Sequence, residues 1–149
     1  QRVLRLEKGH LIIGQDTDAL SNPIAADLGW AVKLEKDDFL GQRSLLRVSE
    51  QGVQHRLVGF KVPGAVPAPE EGLQIVRLSS NGKRPAIIGW VSSCRYSPTL
   101  NEVIGLCWLP TEIAENDGAE FNIWRDERPL AAHVHHGAFY DPDGARLRG

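Results

Sequence analysis

The chain predicts a mainly β protein with an α+β N-terminal segment, and three observations carry that expectation. From His55 onward the apolar residues recur at every second position in short runs, the period of a strand with one buried face. Turn-forming residues separate these runs at short spacing, so about six strands are expected, built into a small barrel or sandwich. Before Gly52 the apolar spacing is instead irregular or helical, and glycine and proline interrupt it.

Taken in order, residues 2–13 set Val3, Leu4, Leu6, Leu11, Ile12 and Ile13 among Arg5, Glu7, Lys8 and His10. Gly9 divides them into a short helical or extended piece, a turn and a short apolar segment. Gly14-Gln15-Asp16-Thr17-Asp18 follows, with side chains that bond nearby backbone in turns and N-caps. Asn22-Pro23 is a break, because the residue before proline is driven out of the helical region. Ile24, Ala25, Leu28 and the Trp30 ring are expected in a core, and Ala31–Leu34 as a short strand. Leu45, Leu46 and Val48 then lie at helical offsets within 40–50, with Gln42, Arg43 and Arg47 on the wet side. Asp37 and Asp38 before that helix and Gly52 after it suit its two ends.

In Arg56–Val62, Val58, Phe60 and Val62 point one way while Leu57, Gly59 and Lys61 point the other. The loop Pro63–Gly72 holds three prolines and cannot donate a full ladder of hydrogen bonds. Further strands are expected over 73–78, 86–92, 103–109, 119–124 and 130–136. Asn81-Gly82 marks a hairpin, since both residues tolerate positive φ; a turn is expected over Arg125–Pro129.

At 149 residues the chain has room for one domain, or for one domain and a piece of another. A formal net charge of −2 gives no footprint for nucleic acid, and no apolar run is long enough to span a bilayer. Cys94 and Cys107 lie outside any zinc or CxxC spacing and read as two reduced thiols, which points to the cytoplasm. With no signal-peptide pattern at its start and no methionine anywhere, the chain reads as a processed piece or the tail of a longer protein.

Four stretches in register, RLEKGHLIIGQDTD, LGWAVKLEKDDFLGQRSLL, RLVGF and CRYSPTLNEVIGLCWLP, resemble the C-terminal half of the aminomethyltransferase family. Its members include the T-protein of the glycine cleavage system and the folate domains of sarcosine oxidase and of dimethylglycine oxidase or dehydrogenase. Lys8 and the ending FYDPDGARL look more like the sarcosine oxidase and dimethylglycine branch. The resemblance implies residues 1–52 as a remnant of a folate-binding α+β domain and 53–149 as a C-terminal β-barrel. It implies tetrahydrofolate as cofactor and one-carbon transfer from a small amine or iminium donor. The implied partners are a folate, a small amine-derived one-carbon donor, and the N-terminal domain of the parent or a flavin-oxidase unit. The family's catalytic Asp, and a Glu that helps hold the pterin, lie upstream of the matched segment, and neither Asp16 nor Asp18 can stand in for the Asp. The chain alone is therefore expected to be inactive.

Arg5 matches the family's folate-site arginine, and a planar guanidinium suits a carboxylate held bidentately. The competing structural reading is an ion pair with Glu7 or a nearby Asp. Arg146, in a tail that also carries Tyr140 and Arg148, is the second folate candidate by the same resemblance. Gln15 and Asp16 are expected to cap a helix or shape a pocket wall, and Tyr96 to pack the turn at Ser97-Pro98-Thr99. His133 and His135 share a strand face while His136 opposes them; this is an incomplete zinc set, read as facing solvent or a partner. The rival to the folate reading is a non-catalytic barrel that serves as an interaction module of a larger protein.

Overall fold

Six strands close into a barrel among the described residues of the chain, residues 1–64, 66–79 and 84–148 of a computed structural model. They are β1 (His55–Val62), β2 (Gln74–Arg77), β3 (Ala86–Ser97), β4 (Glu102–Pro110), β5 (Glu120–Arg125) and β6 (Arg128–His135), in the spatial order β1-β4-β3-β2-β5-β6. Every neighbouring pair is antiparallel, so each strand has two partners and the barrel has no free edge. The protein is mainly β, with short helices α1 (Arg2–Glu7) and α2 (Gln42–Gln51) ahead of the barrel, α3 (Thr111–Ala114) after β4, and α4 (Ala145–Arg148) in the tail.

Alternation assigns the two faces of each strand. Val58, Phe60 and Val62 of β1 point inward, where Val103, Cys107 and Leu109 of β4 and Phe121 and Ile123 of β5 complete a buried core. The Phe60 and Phe121 rings meet edge to face at 5.9 Å. Leu57 points outward, and with Ile104, Leu106 and Trp108 it forms the barrel half of a second core. Leu6, Ala25 and Ala26 from the N-terminal segment and Phe139 from the tail supply the other half. Two-sided burial explains why β4 is apolar at nearly every position.

Several expectations are corrected. Residues 31–34 form no strand; Gly29–Ala31 is a 3₁₀ turn, and a closed barrel leaves no edge on which that run could pair. Trp30 is not in a core: this turn carries its ring onto the surface, 83% exposed. The turn expected over Arg125–Pro129 is tighter. Asp126 and Glu127 alone make it, at φ 48° and 60°, while Pro129 pairs with Trp124 inside the ladder. β3 runs five residues beyond its expected end at Ser92. The hairpin signal Asn81-Gly82 lies outside the described residues.

Candidate functional site

The seam between residues 1–52 and the barrel wall is built around one carboxylate. Asp16 is 1% exposed and accepts at both oxygens. Its Oδ2 takes the Ile12 backbone N–H at 2.8 Å, which closes the Gly-Gln-Asp turn, and the Arg5 guanidinium at 2.6 Å. Its Oδ1 takes the Ser92 hydroxyl at 2.7 Å and the Ser93 hydroxyl. The two serines reach one carboxylate because β3 is irregular between Val91 and Ser93. Val91 and Cys94 both face the barrel interior, leaving the pair between them outside. Trp108 extends the clamp by donating its indole N–H to the Asp16 carbonyl at 2.8 Å. Glu7, also buried, accepts the Ser97 hydroxyl at 2.6 Å farther along β3.

Arg5 is therefore engaged internally. One terminal nitrogen serves Asp16 and the His10 carbonyl, the other donates to the Ser93 hydroxyl at 2.6 Å, and Nε is buried with no partner among the described residues. The ion pair offered from sequence as the competing reading is present, and its partner is Asp16, eleven positions on, rather than Glu7. Arg146 shares no partner with Arg5: it lies over the Tyr140 ring, 5.4 Å from the centroid, while its backbone N–H reaches Asp141. Gln15 caps no helix; its amide donates to the Ser93 hydroxyl at 2.9 Å. Tyr96 packs its loop as expected, donating to Asn101 at 2.6 Å.

Beside the seam lies a groove of about 880 Å³, within the size range of ligand sites. Leu57, Gly59 and Leu106 of the barrel wall floor it, and Leu28 and Trp30 stand on the N-terminal side. On the far side are His135, stacked on Phe139 at 4.7 Å, and His136. His136 thus joins His135 in one groove instead of opposing it, because β6 ends at His135 and the alternation ends with it. His136 Nε2 lies 2.7 Å from the Ala114 carbonyl; a carbonyl only accepts, so that nitrogen carries the proton. Burial lowers the His135 pKa below its ordinary value, which favours the neutral ring. Lys8 and Arg56 also line the groove, each tied to an acid, Lys8 to Asp141 at 3.9 Å and Arg56 to Glu115 at 3.4 Å. Among the described residues no group of three or more His, Cys, Asp or Glu is placed to hold a metal ion.

Sequence reasoning passed over Ser92, Ser93 and Arg56. The two serines left one trace: Val91 and Cys94, both inward, are three apart where an unbroken strand would space them by two. The groove left none, since it is assembled from segments distant in the chain.

Comparison with known proteins fits this geometry. An aminomethyltransferase of Halothermothrix orenii is 45% identical over 106 residues, which cover 71% of this chain and 28% of that protein. One from Rubrobacter xylanophilus is 35% identical over 147 residues, covering 95% of this chain and 37% of its own length. The chain thus spans about a third of the curated relatives it matches. In the crystal structure of glycine cleavage system aminomethyltransferase T from Bartonella henselae, 38% of the chain matches 95% of this one, with a TM-score of 0.83 at 26% identity. Residues 55–141, from the first strand of the barrel to the start of the tail, match the glycine cleavage T-protein C-terminal barrel domain. That match covers more than half of the sequence, and the chain belongs to this family.

Proposed function

We propose that this chain is the C-terminal part of a tetrahydrofolate-dependent aminomethyltransferase, supplying a wall of the folate site for one-carbon transfer from an amine or iminium donor. The observation that carries the reading is the outward face of residues 1–52. Leu4, Ile13, Leu20, Trp30 and Leu40 are each more than half exposed there, while the barrel beside them is well packed. A wide exposed apolar face marks a surface that another body covers. In this reading that body is the upstream part of the longer protein, which carries the catalytic Asp, and residues 1–52 are the end of the folate-binding domain. Arg5 and Arg146 are its folate contacts from this side, and the iminium donor comes from the upstream part or from a flavin-oxidase unit. The two free, buried thiols suit a cytoplasmic setting.

A second reading has one observation in its favour. Arg5 is spent on Asp16, Ser93 and the His10 carbonyl, as expected of a barrel whose role is docking and whose arginine is structural.

Calorimetric titration of tetrahydrofolate separates the two, run on this chain and on the longer protein, each with and without Arg5→Lys. Binding by the longer protein that weakens about tenfold in the variant supports the folate reading, tenfold being about 1.4 kcal/mol. Absence of binding to the longer protein at millimolar ligand overturns it. Equal binding with and without the substitution removes Arg5 from the site and keeps the rest.

A further inference from the structure

We propose that residues 1–52 are a strap, latched to the barrel by Asp16 and hinged at Gly52, that swings off the wall as a unit while the barrel stays closed. The strap's apolar anchorage is small beside the barrel's own core: Leu6, Ala25 and Ala26 are buried in the second core, with Leu11 and Leu28 partly buried against it. Its larger apolar residues, Leu20 and Leu40 among them, are exposed rather than buried against the barrel. What joins it to the wall is mainly a polar seam of Asp16 with Ser92, Ser93 and Trp108, Arg5 with Ser93, and Glu7 with Ser97. The barrel, by contrast, is closed by ladders on both sides of every strand and filled by its own core. Two units with so different a share of buried apolar contact open at different free energies. Gly52, at φ 76°, sits between α2 and β1 and supplies the turn about which they part. The device also governs the groove, because Leu28 and Trp30 leave with the strap while Leu57, Gly59 and Leu106 stay on the barrel.

Two hydrogens that belong to the barrel report strap motion directly. The Leu57 amide, within β1, donates to the strap's Ala25 carbonyl at 2.8 Å, and the Trp108 indole donates to Asp16. Native-state hydrogen exchange of the wild-type chain in low urea is therefore decisive. The Leu57 amide and Trp108 indole are expected to exchange together, since both cross from the barrel to the strap. Their shared opening is expected to be at least about tenfold more populated than the one exposing Val91 and Val134 in the barrel. In Asp16→Asn that opening rises about tenfold further, because Ser92, Ser93 and Arg5 lose a charged acceptor. Val91 and Val134 keep their rates, and Cys94 and Cys107 stay closed to a thiol reagent. Ser93→Ala, a gentler cut in the same clamp, raises strap exchange in the same sense should Asp16→Asn not fold. A single opening shared by strap and barrel in the wild type overturns the proposal, as does a variant that speeds both equally.

Discussion

At the scale of single residues, the barrel interior is decided by one missing side chain. Gly105 faces Phe60 across the β1–β4 ladder, and a Cβ at 105 would meet two atoms of that ring at 2.5 Å and the Ser93 carbonyl oxygen closer still. Neither the ring, packed on Phe121, nor the strand backbone can move aside. Gly105→Ala is therefore expected to cost at least about 1–3 kcal/mol, read as a lower urea midpoint at unchanged slope. The same interior closes off Cys94 and Cys107. Burial pushes the Cys94 thiol up to about 12, with Cys107 raised as well, so neither is a thiolate at neutral pH. Ellman's reagent is expected to titrate no thiol in the folded chain and both in urea. His135 gives the chain an acid-sensitive stability. Desolvation holds its folded pKa below the ordinary 6.5, so the unfolded chain takes up a proton first as pH falls. The contribution is complete above about 6.5 and is lost as pH falls from there through the lowered folded value. His135→Gln is expected to flatten the melting temperature against pH in that window.

At the scale of elements, the β5–β6 hairpin shows how local chemistry can yield to closure. Its two-residue turn needs positive φ at both central positions, yet they are Asp126 and Glu127, with no glycine and no asparagine. Asp126→Asn with Glu127→Gly is expected to raise stability by about 0.5–1 kcal/mol, measured as a shift in thermal midpoint. This turn also marks where sequence reading stops. The inward set on β1 and β5, Val58, Phe60, Val62, Phe121 and Ile123, was legible because one buried face imposes a period of two whatever the neighbours are. Helix α2 was legible from its spacing and from Gly52 at its end, although Leu45 and Val48 are only half-buried and Leu46 is exposed. The place of the Asp126-Glu127 turn was legible but its two-residue form was not, since ladder pairing on both sides forces a conformation its residues do not advertise. The Asp16 clamp was half legible. Its turn could be read from Gly-Gln-Asp, but its partners are more than seventy residues away on an irregular stretch of β3. Arg5 was singled out from sequence for a folate carboxylate, with an internal ion pair as the alternative, and the structure shows that pair, made with Asp16.

At the scale of the whole molecule, the apolar surface is distributed unevenly. The barrel keeps its large apolar side chains in two cores, apart from a few such as Ile87 and Trp90, while residues 1–52 turn Leu20, Trp30 and Leu40 outward. Surface apolar residues taken singly need no explanation, but this group falls within one segment that spans a third of the chain. Trp30 was misplaced from sequence because a tryptophan is assigned to a core by default, whereas here the 3₁₀ turn Gly29–Ala31 leaves its ring 83% exposed. The consequence is a substitution with opposite outcomes in two settings. In this chain Leu20→Ser, Trp30→Ser and Leu40→Ser together remove almost no burial, so each is expected to change stability by less than about 0.5 kcal/mol. In the longer protein proposed above, where the upstream part covers these side chains, the same triple is expected to cost about 1.5–3 kcal/mol for each one buried. A longer protein whose urea midpoint does not move with the triple would show the face to be free there too. The apolar surface would then belong to some other contact, and the proposal that the upstream part seats on it would fall.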